Sequence, residues 1–125
     1  MAETIFLTKA KRNLQAAQLL FDHQMYDESA SRAYYAAFQA ALAKLSDAKI
    51  PVDRMSHKAV QANFNAVFIH KQKIYPSHLK SFLSDLHAAR IDADYKPLVI
   101  SKKVAMQQIK KAKEFVERIE QEMIR

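Results

Sequence analysis

Apolar residues recur at spacings of three and four along five segments of the chain, the pattern of amphipathic helices. Ser56 and Ser101 stand where they can cap the third and fifth segments, and the three prolines fall between segments. Only two residues separate the first two segments, which makes these helices antiparallel neighbours. The sequence therefore predicts an all-α fold, an antiparallel bundle of about five helices. The predicted helices cover residues 3–23, 26–47, 56–70, 77–94 and 101–125.

The second predicted helix is apolar around most of its circumference, and we expect it to lie at the centre of the bundle. One broad face of this helix is apolar and is expected to lie in the core. The flank beside that face carries only small side chains, so another helix can approach the backbone of the second helix closely there. The face consists of Ala30, Tyr34, Ala37, Phe38, Ala41 and Leu45, and the flank of Ser29, Ala33, Ala36, Ala40 and Ala43.

A narrow polar strip remains on this helix, formed by Glu28, Arg32, Tyr35 and Gln39 at spacings of four, three and four. One interpretation is local: Glu28 and Arg32 form a helical ion pair and the Tyr35 hydroxyl reaches water. The other is functional: Arg32 and Tyr35 line a groove or subunit interface, where a guanidinium can bind phosphate.

A second polar strip lies on the fourth predicted helix, where His87, Arg90 and Asp94 are followed by Tyr95. Arg90 and Asp94 are four residues apart, but with the cation before the anion, the less favourable order on an isolated helix. We therefore expect these residues to make tertiary contacts.

Composition narrows the possible functions. A length of 125 residues suits one domain, residues 1–125, and the absence of cysteine excludes a disulfide scaffold, a thiol nucleophile and a zinc–thiolate site. Glycine is also absent, which excludes P-loop and dinucleotide-binding motifs. We find no signal peptide, membrane span or metal-binding motif, and we predict a soluble cytoplasmic protein without a metal or cofactor.

The net charge of +7 is concentrated in residues 49–80. This segment contains six basic residues and one acidic residue, Asp53, so its own net charge is +5. Such a segment favours an acidic partner such as RNA or a nucleotide, although a solvated basic surface is an equally simple interpretation. The cations are Lys49, Arg54, Lys58, Lys71, Lys73 and Lys80.

The chain resembles the HEPN domain family (higher eukaryotes and prokaryotes nucleotide-binding). The resemblance is carried by residues 26–38 (YDESASRAYYAAF), 56–58 (SHK) and 89–95 (ARIDADY), and by the last helix with Phe115. It implies an up-and-down four-helix core with an additional helix, a homodimer and a minimal nucleotidyltransferase partner. It also implies, for many members, a metal-independent ribonuclease or toxin whose arginine is followed after four to six residues by a histidine.

Arg32 matches the arginine of that motif, but Ala37, Phe38 and Gln39 occupy the positions that could supply the histidine. A glutamine amide can bind phosphate but cannot transfer a proton near neutral pH as imidazole does. His57 and His87 are the only candidates to replace it, and we expect each to be a structural or solvated residue.

Three functions follow from these patterns. The first is a dimeric module that binds RNA or nucleotide, or docks a nucleotidyltransferase, through Arg32, Tyr35, Gln39, Arg90 and Asp94, within a toxin–antitoxin-like system. The second is a metal-independent ribonuclease toxin with a degenerate motif. The third is a structural adaptor in which both polar strips form interface ion pairs.

Overall fold

The computed structural model describes residues 2–123, and it confirms the predicted all-α fold: no strand occurs within this range. The helices are α1 (Ala2–Asp22), α2 (Tyr26–Asp47), α3 (His57–Phe64), α4 (Phe82–Tyr95) and α5 (Lys102–Met123). A π-helical segment (Asn65–Lys71) continues α3, and a 3-10 segment (Ser77–Ser81) leads into α4. The predicted extension of the last helix over residues 124 and 125 lies outside the described residues.

The helices α1, α2, α4 and α5 alternate in direction and form an up-and-down bundle. Ion pairs join neighbouring helices: Lys11 of α1 lies 2.7 Å from Glu120 of α5, and Lys111 of α5 lies 3.2 Å from Asp85 of α4. α3 is the additional helix. It runs in the same direction as α2, because its first residue contacts Tyr34 and the π-helical segment that follows it contacts Lys44, ten residues further along α2.

α2 lies at the centre of the bundle and packs against all four other helices. The alanines of its core face and of its flank are fully buried. Ser29 is also fully buried, and its hydroxyl donates a hydrogen bond of 2.7 Å to the carbonyl of Ala17 in α1. The small side chains of α2 therefore let the neighbouring helices pack closely around it.

Aromatic rings fill the core between α3 and α5. The ring centroid of Phe64 lies 5.2 Å from that of Phe68, 5.6 Å from that of Tyr75 and 5.1 Å from that of Phe115. These rings bury a large apolar area and hold α3 against the bundle. The first residue of α3 is thereby held beside the middle of α2.

The chain reverses direction without glycine. Gln24, Lys49 and Lys73 follow the ends of α1, α2 and the π-helical segment with positive φ angles of 63°, 64° and 53°, and Arg54 has a φ of 63° in the next loop. These are left-handed conformations that glycine adopts at no steric cost and other residues adopt with strain. Three of these four residues, Lys49, Arg54 and Lys73, are basic.

Candidate functional site

Two arginines from different helices meet at the same tyrosine ring. The guanidinium carbon of Arg32, on α2, lies 4.7 Å from the centroid of the Tyr35 ring, and that of Arg90, on α4, lies 5.3 Å from it. The two guanidinium carbons are therefore at most about 10 Å apart, the sum of these distances. The π system of the Tyr35 ring stabilises both cations.

Arg90 is fixed by its neighbours on α4. Its Nε lies 3.0 Å from Oδ2 of Asp94, and its Nη2 donates a 3.4 Å hydrogen bond to the Tyr95 hydroxyl. Ser31 of α2 donates a 3.4 Å hydrogen bond to the same Asp94 oxygen. The structure thus brings together Arg32, Tyr35, Arg90, Asp94 and Tyr95, which we call the arginine–tyrosine cluster.

Arg32 does not form the ion pair that the local interpretation predicts. Its Nη1 donates a 3.0 Å hydrogen bond to Oδ1 of Asn13 on α1, whereas Glu28 is exposed. No ion pair joins Glu28 and Arg32 in the part of the chain that the structure describes, so that prediction is wrong. The neutral amide of Asn13 positions Arg32 instead. Because an amide carries no charge, this contact does not compensate the positive charge of Arg32.

Gln39 makes no hydrogen bond to the cluster. Its side-chain oxygen is buried, and no described residue donates a hydrogen bond to it. Four of the five residues predicted to line one groove, all except Gln39, are joined by cation–π contacts or an ion pair.

His57 and His87 form a stacked pair next to the cluster. Their ring centroids are 3.7 Å apart and the ring planes differ by 13°. Tyr34 of α2 lies beside both rings, and its hydroxyl is 2.9 Å from Nδ1 of His57. Arg90 is 5.9 Å from the centroid of the same Tyr34 ring. The sequence analysis did not predict this contact between His57 and His87.

The environment of this histidine stack favours uncharged imidazoles. Burial and the charge of His87 lower the pKa of His57. Burial and the charge of Arg90 lower the pKa of His87. Burial also raises the pKa of Tyr34 to about 12, so its hydroxyl keeps a proton that it can donate to His57. A neutral His57 that accepts at Nδ1 carries its own proton on Nε2.

The assembled site combines permanent positive charge with neutral imidazoles. Arg90 pairs with one carboxylate, Asp94, and Tyr95 beside Arg90 is 68% exposed. Such a surface suits an anion that carries both phosphate and a flat base. Among residues 2–123 there is no group of three or more potential metal ligands. No helix in that range is both long and apolar enough to cross a membrane.

A groove of about 510 Å³ lies elsewhere, between α1 and α5. Its lining residues include the apolar Leu14, Ile109 and Val116 and the ion-paired Lys11 and Glu120. No residue of the arginine–tyrosine cluster lines it. We therefore place the candidate site on the surface shared by α2, α3 and α4.

Two comparisons bear on this site. A family model described as the HEPN domain matches residues 4–122. A protein of Methanocaldococcus jannaschii named "Putative toxin MJ0605" is 30% identical over 110 residues, which cover 88% of this chain and 80% of that protein. The residues matched by the family model include the whole arginine–tyrosine cluster and both stacked histidines.

Proposed function

This chain belongs to the HEPN family, and from that premise we propose that it is a toxin-like module whose arginine–tyrosine cluster binds single-stranded RNA. The name of the M. jannaschii relative supports the toxin-like role. The geometry of the arginine–tyrosine cluster supports RNA as the ligand.

The observation that carries the proposal is the pair of guanidinium groups on the Tyr35 ring. Each arginine has five N–H donors. Asn13 accepts from Nη1 of Arg32, and Asp94 and Tyr95 contact Nε and Nη2 of Arg90. Planar guanidinium groups bind phosphate oxygens through two parallel hydrogen bonds. Two such groups about 10 Å apart or less can contact more than one phosphate of the same strand.

The aromatic groups favour RNA over an isolated phosphate. Single-stranded nucleic acids bind where cations follow the backbone and aromatic rings stack on unpaired bases. Tyr95 offers an exposed ring beside Arg90. The basic segment 49–80 adds a long-range attraction for a polyanion.

The direct test is RNA binding by single arginine variants. Fluorescence anisotropy with a labelled single-stranded RNA pool measures Kd for the wild type, Arg90→Ala and Arg32→Ala. Arg118→Ala is a matched control, because Arg118 also pairs with a carboxylate one turn away, Glu114 at 3.3 Å, but on α5 and outside the cluster.

We expect each cluster variant to weaken binding about tenfold, the effect of losing one charge-assisted contact. The control variant changes the net charge equally and should stay within about twofold of the wild type. Equal losses in Arg90→Ala and Arg118→Ala would show that only overall charge matters and would contradict the proposed site.

We further propose that the protein forms a homodimer and works with a minimal nucleotidyltransferase in a toxin–antitoxin-like pair. Family membership supports this arrangement. Light scattering on the purified protein tests the dimer, and co-expression with a nucleotidyltransferase encoded beside it tests the partner. If Arg32→Ala destabilises the dimer and leaves RNA affinity unchanged, the cluster is instead the interface of a structural adaptor.

A further inference from the structure

Six basic residues lie on α3, on the π-helical segment that continues it, or in the segments of chain that border them. All six side chains are exposed. No ion pair joins any of them to an anion within residues 2–123, whereas Lys11, Lys111 and Arg118 elsewhere in the bundle pair with carboxylates. We call these six residues the α3 basic surface: Lys49, Arg54, Lys58, Lys71, Lys73 and Lys80.

The loop that leads into α3 is anchored to the core while its cations face solvent. Ile50, Val52 and Met55 pack against the buried residues of the core. Lys49 and Arg54 lie between and beside these anchors and are exposed. A loop that is already held in place loses little conformational entropy when a ligand binds, so more of the electrostatic attraction contributes to affinity.

The loop that follows the π-helical segment is anchored in the same way. Tyr75 is buried, and Ile74 packs against the core. The amide of Ile74 also donates a hydrogen bond of 2.9 Å to the carbonyl of Phe68 in the π-helical segment. Lys73, beside these two anchors, is exposed. Both ends of the α3 basic surface are therefore fixed on the bundle.

The α3 basic surface begins beside the arginine–tyrosine cluster. Lys58 follows His57, whose ring stacks on that of His87 with the centroids 3.7 Å apart. His87 precedes Arg90 of the cluster by about one turn of α4. At the other end, the π-helical segment contacts Lys44, near the C-terminus of α2. The surface therefore runs from the cluster toward the end of α2.

The length of α3 and the π-helical segment sets how much of a strand this surface can contact. Lys58 and Lys71 are 13 positions apart. At the 1.5 Å rise of an α-helix this separation is at most about 20 Å. The exposed residues between them are Ala62, Ala66 and His70, so two of the three have small side chains and let a strand approach. A stacked strand with about 3.4 Å between phosphates places about six nucleotides along this distance.

The composition of the α3 basic surface favours nucleic acid over a protein partner. Protein interfaces bury aromatic and other large apolar side chains at their centre and contain few lysines. None of the large hydrophobic side chains that are exposed in the described part of the chain belongs to residues 49–80. Five of the six cations are lysines. A row of lysines without an apolar centre is typical of a surface that contacts a phosphate backbone.

We propose that the α3 basic surface is a second contact surface for single-stranded RNA, which binds the part of the strand that extends beyond the arginine–tyrosine cluster. The inference rests on the proposed RNA binding by Arg32 and Arg90. The lysines contact phosphates along α3, and the cluster contacts phosphates and bases at one end. The ligand that fills both surfaces is then a strand of about eight nucleotides or more, and not a mononucleotide.

The experiment compares short and long RNA on two variants of equal net charge. Fluorescence anisotropy measures Kd for labelled random-sequence RNA of about four nucleotides, which fills one surface, and of about twelve, which fills both. The surface variant combines Lys58→Gln, Lys71→Gln and Lys73→Gln. The control variant replaces three exposed lysines of α1 and α5 that have no ion pair among the described residues, and combines Lys9→Gln, Lys110→Gln and Lys113→Gln.

We expect the surface variant to bind the long RNA about tenfold more weakly than the control variant does, because three phosphate contacts are lost. The slope of log K against log salt should fall by about 2, at about 0.7 for each contact. The two variants should bind the short RNA within about twofold of each other. Replacing the same three lysines with arginine keeps the charges and should keep the affinity of the wild type.

Four results would overturn the inference. If the surface variant binds the long RNA as tightly as the control variant while Arg90→Ala weakens it, the surface is only solvated and the proposed function stands. If a twelve-residue glutamate peptide binds the wild type as tightly as the long RNA and is lost in the surface variant, the partner is an acidic protein segment. If Arg90→Ala leaves the affinity for both RNAs unchanged, or the wild type binds neither RNA, the proposed function fails together with this extension of the site.

Discussion

Acidification should destabilise this protein through the histidine stack. Burial lowers the pKa of His57 and His87 in the folded state, with the charges of His87 and Arg90 respectively adding to the effect. An unfolded chain restores both to the ordinary value of about 6.5. Between the folded-state pKa and 6.5, the unfolded chain binds more protons than the folded one, so the free energy of unfolding falls as pH falls through this window.

The size of the effect follows from the number of histidines involved. Each histidine that is neutral when folded and protonated when unfolded changes the free energy of unfolding by at most about 1.4 kcal/mol per pH unit. Two histidines therefore set a limit of about 2.7 kcal/mol per pH unit. Both rings are partly exposed, so we expect a total loss on the order of 1 kcal/mol between pH 7.5 and 5.5.

Urea unfolding followed by far-ultraviolet circular dichroism at several pH values measures this loss. In the double variant with His57→Phe and His87→Gln, the two titrating groups are absent and the dependence on pH should flatten. His70→Gln removes an exposed histidine from the π-helical segment and serves as the control. If the double variant and the wild type lose the same stability over this range, the histidine stack is not the source of the dependence.

Three further predictions concern stability and use the same unfolding measurement. Ser29→Ala removes the buried hydroxyl that hydrogen-bonds to α1 and should cost about 1 kcal/mol, whereas Ser84→Ala, on the exposed side of α4, should cost less than about 0.5 kcal/mol. Lys49→Gly should stabilise the protein by about 0.5–1 kcal/mol because Lys49 has a positive φ, and Lys58→Gly, within α3, should destabilise it by a similar amount. Ala40→Leu should cost about 1–3 kcal/mol or more, because Ala40 is fully buried; a stable variant would contradict the close packing of α2.

The helices could be predicted from the sequence because their signals are local. The spacing of apolar residues gives the bounds of α2 as observed, and both ends of α1 and the start of α5 within one residue. The predicted third and fourth helices also take in the π-helical segment and the 3-10 segment, so α3 and α4 are shorter than predicted. The left-handed residues were not predicted, because the usual signal is glycine and the chain places Gln24, Lys49 and Lys73 there instead. The π-helical segment was not predicted either, because the spacing of its apolar residues does not distinguish it from an α-helix.

The sequence placed the site on two helices and predicted tertiary contacts for Arg90 and Asp94. Such contacts are present, because Asp94 accepts a hydrogen bond from Ser31 of α2 and Arg90 lies over the Tyr35 ring. Arg90 and Asp94 also form an ion pair of 3.0 Å with each other, although their charge order is the less favourable one. The hydrogen bond from Arg32 to Asn13 was not predicted, because Asn13 belongs to a different helix and lies 19 positions away. The two stacked histidines are 30 positions apart, and their contact depends on the direction of α3, which local periodicity does not contain.

The central claim is that Arg32 and Arg90 together contact RNA phosphates. The most direct measurement is the dependence of RNA affinity on salt concentration in the double variant Arg32→Ala with Arg90→Ala. Each phosphate contact on a single strand contributes about 0.7 to the slope of log K against log salt, so we predict that the slope falls by about 1.4 in the double variant. A slope equal to that of Arg118→Ala would contradict the account.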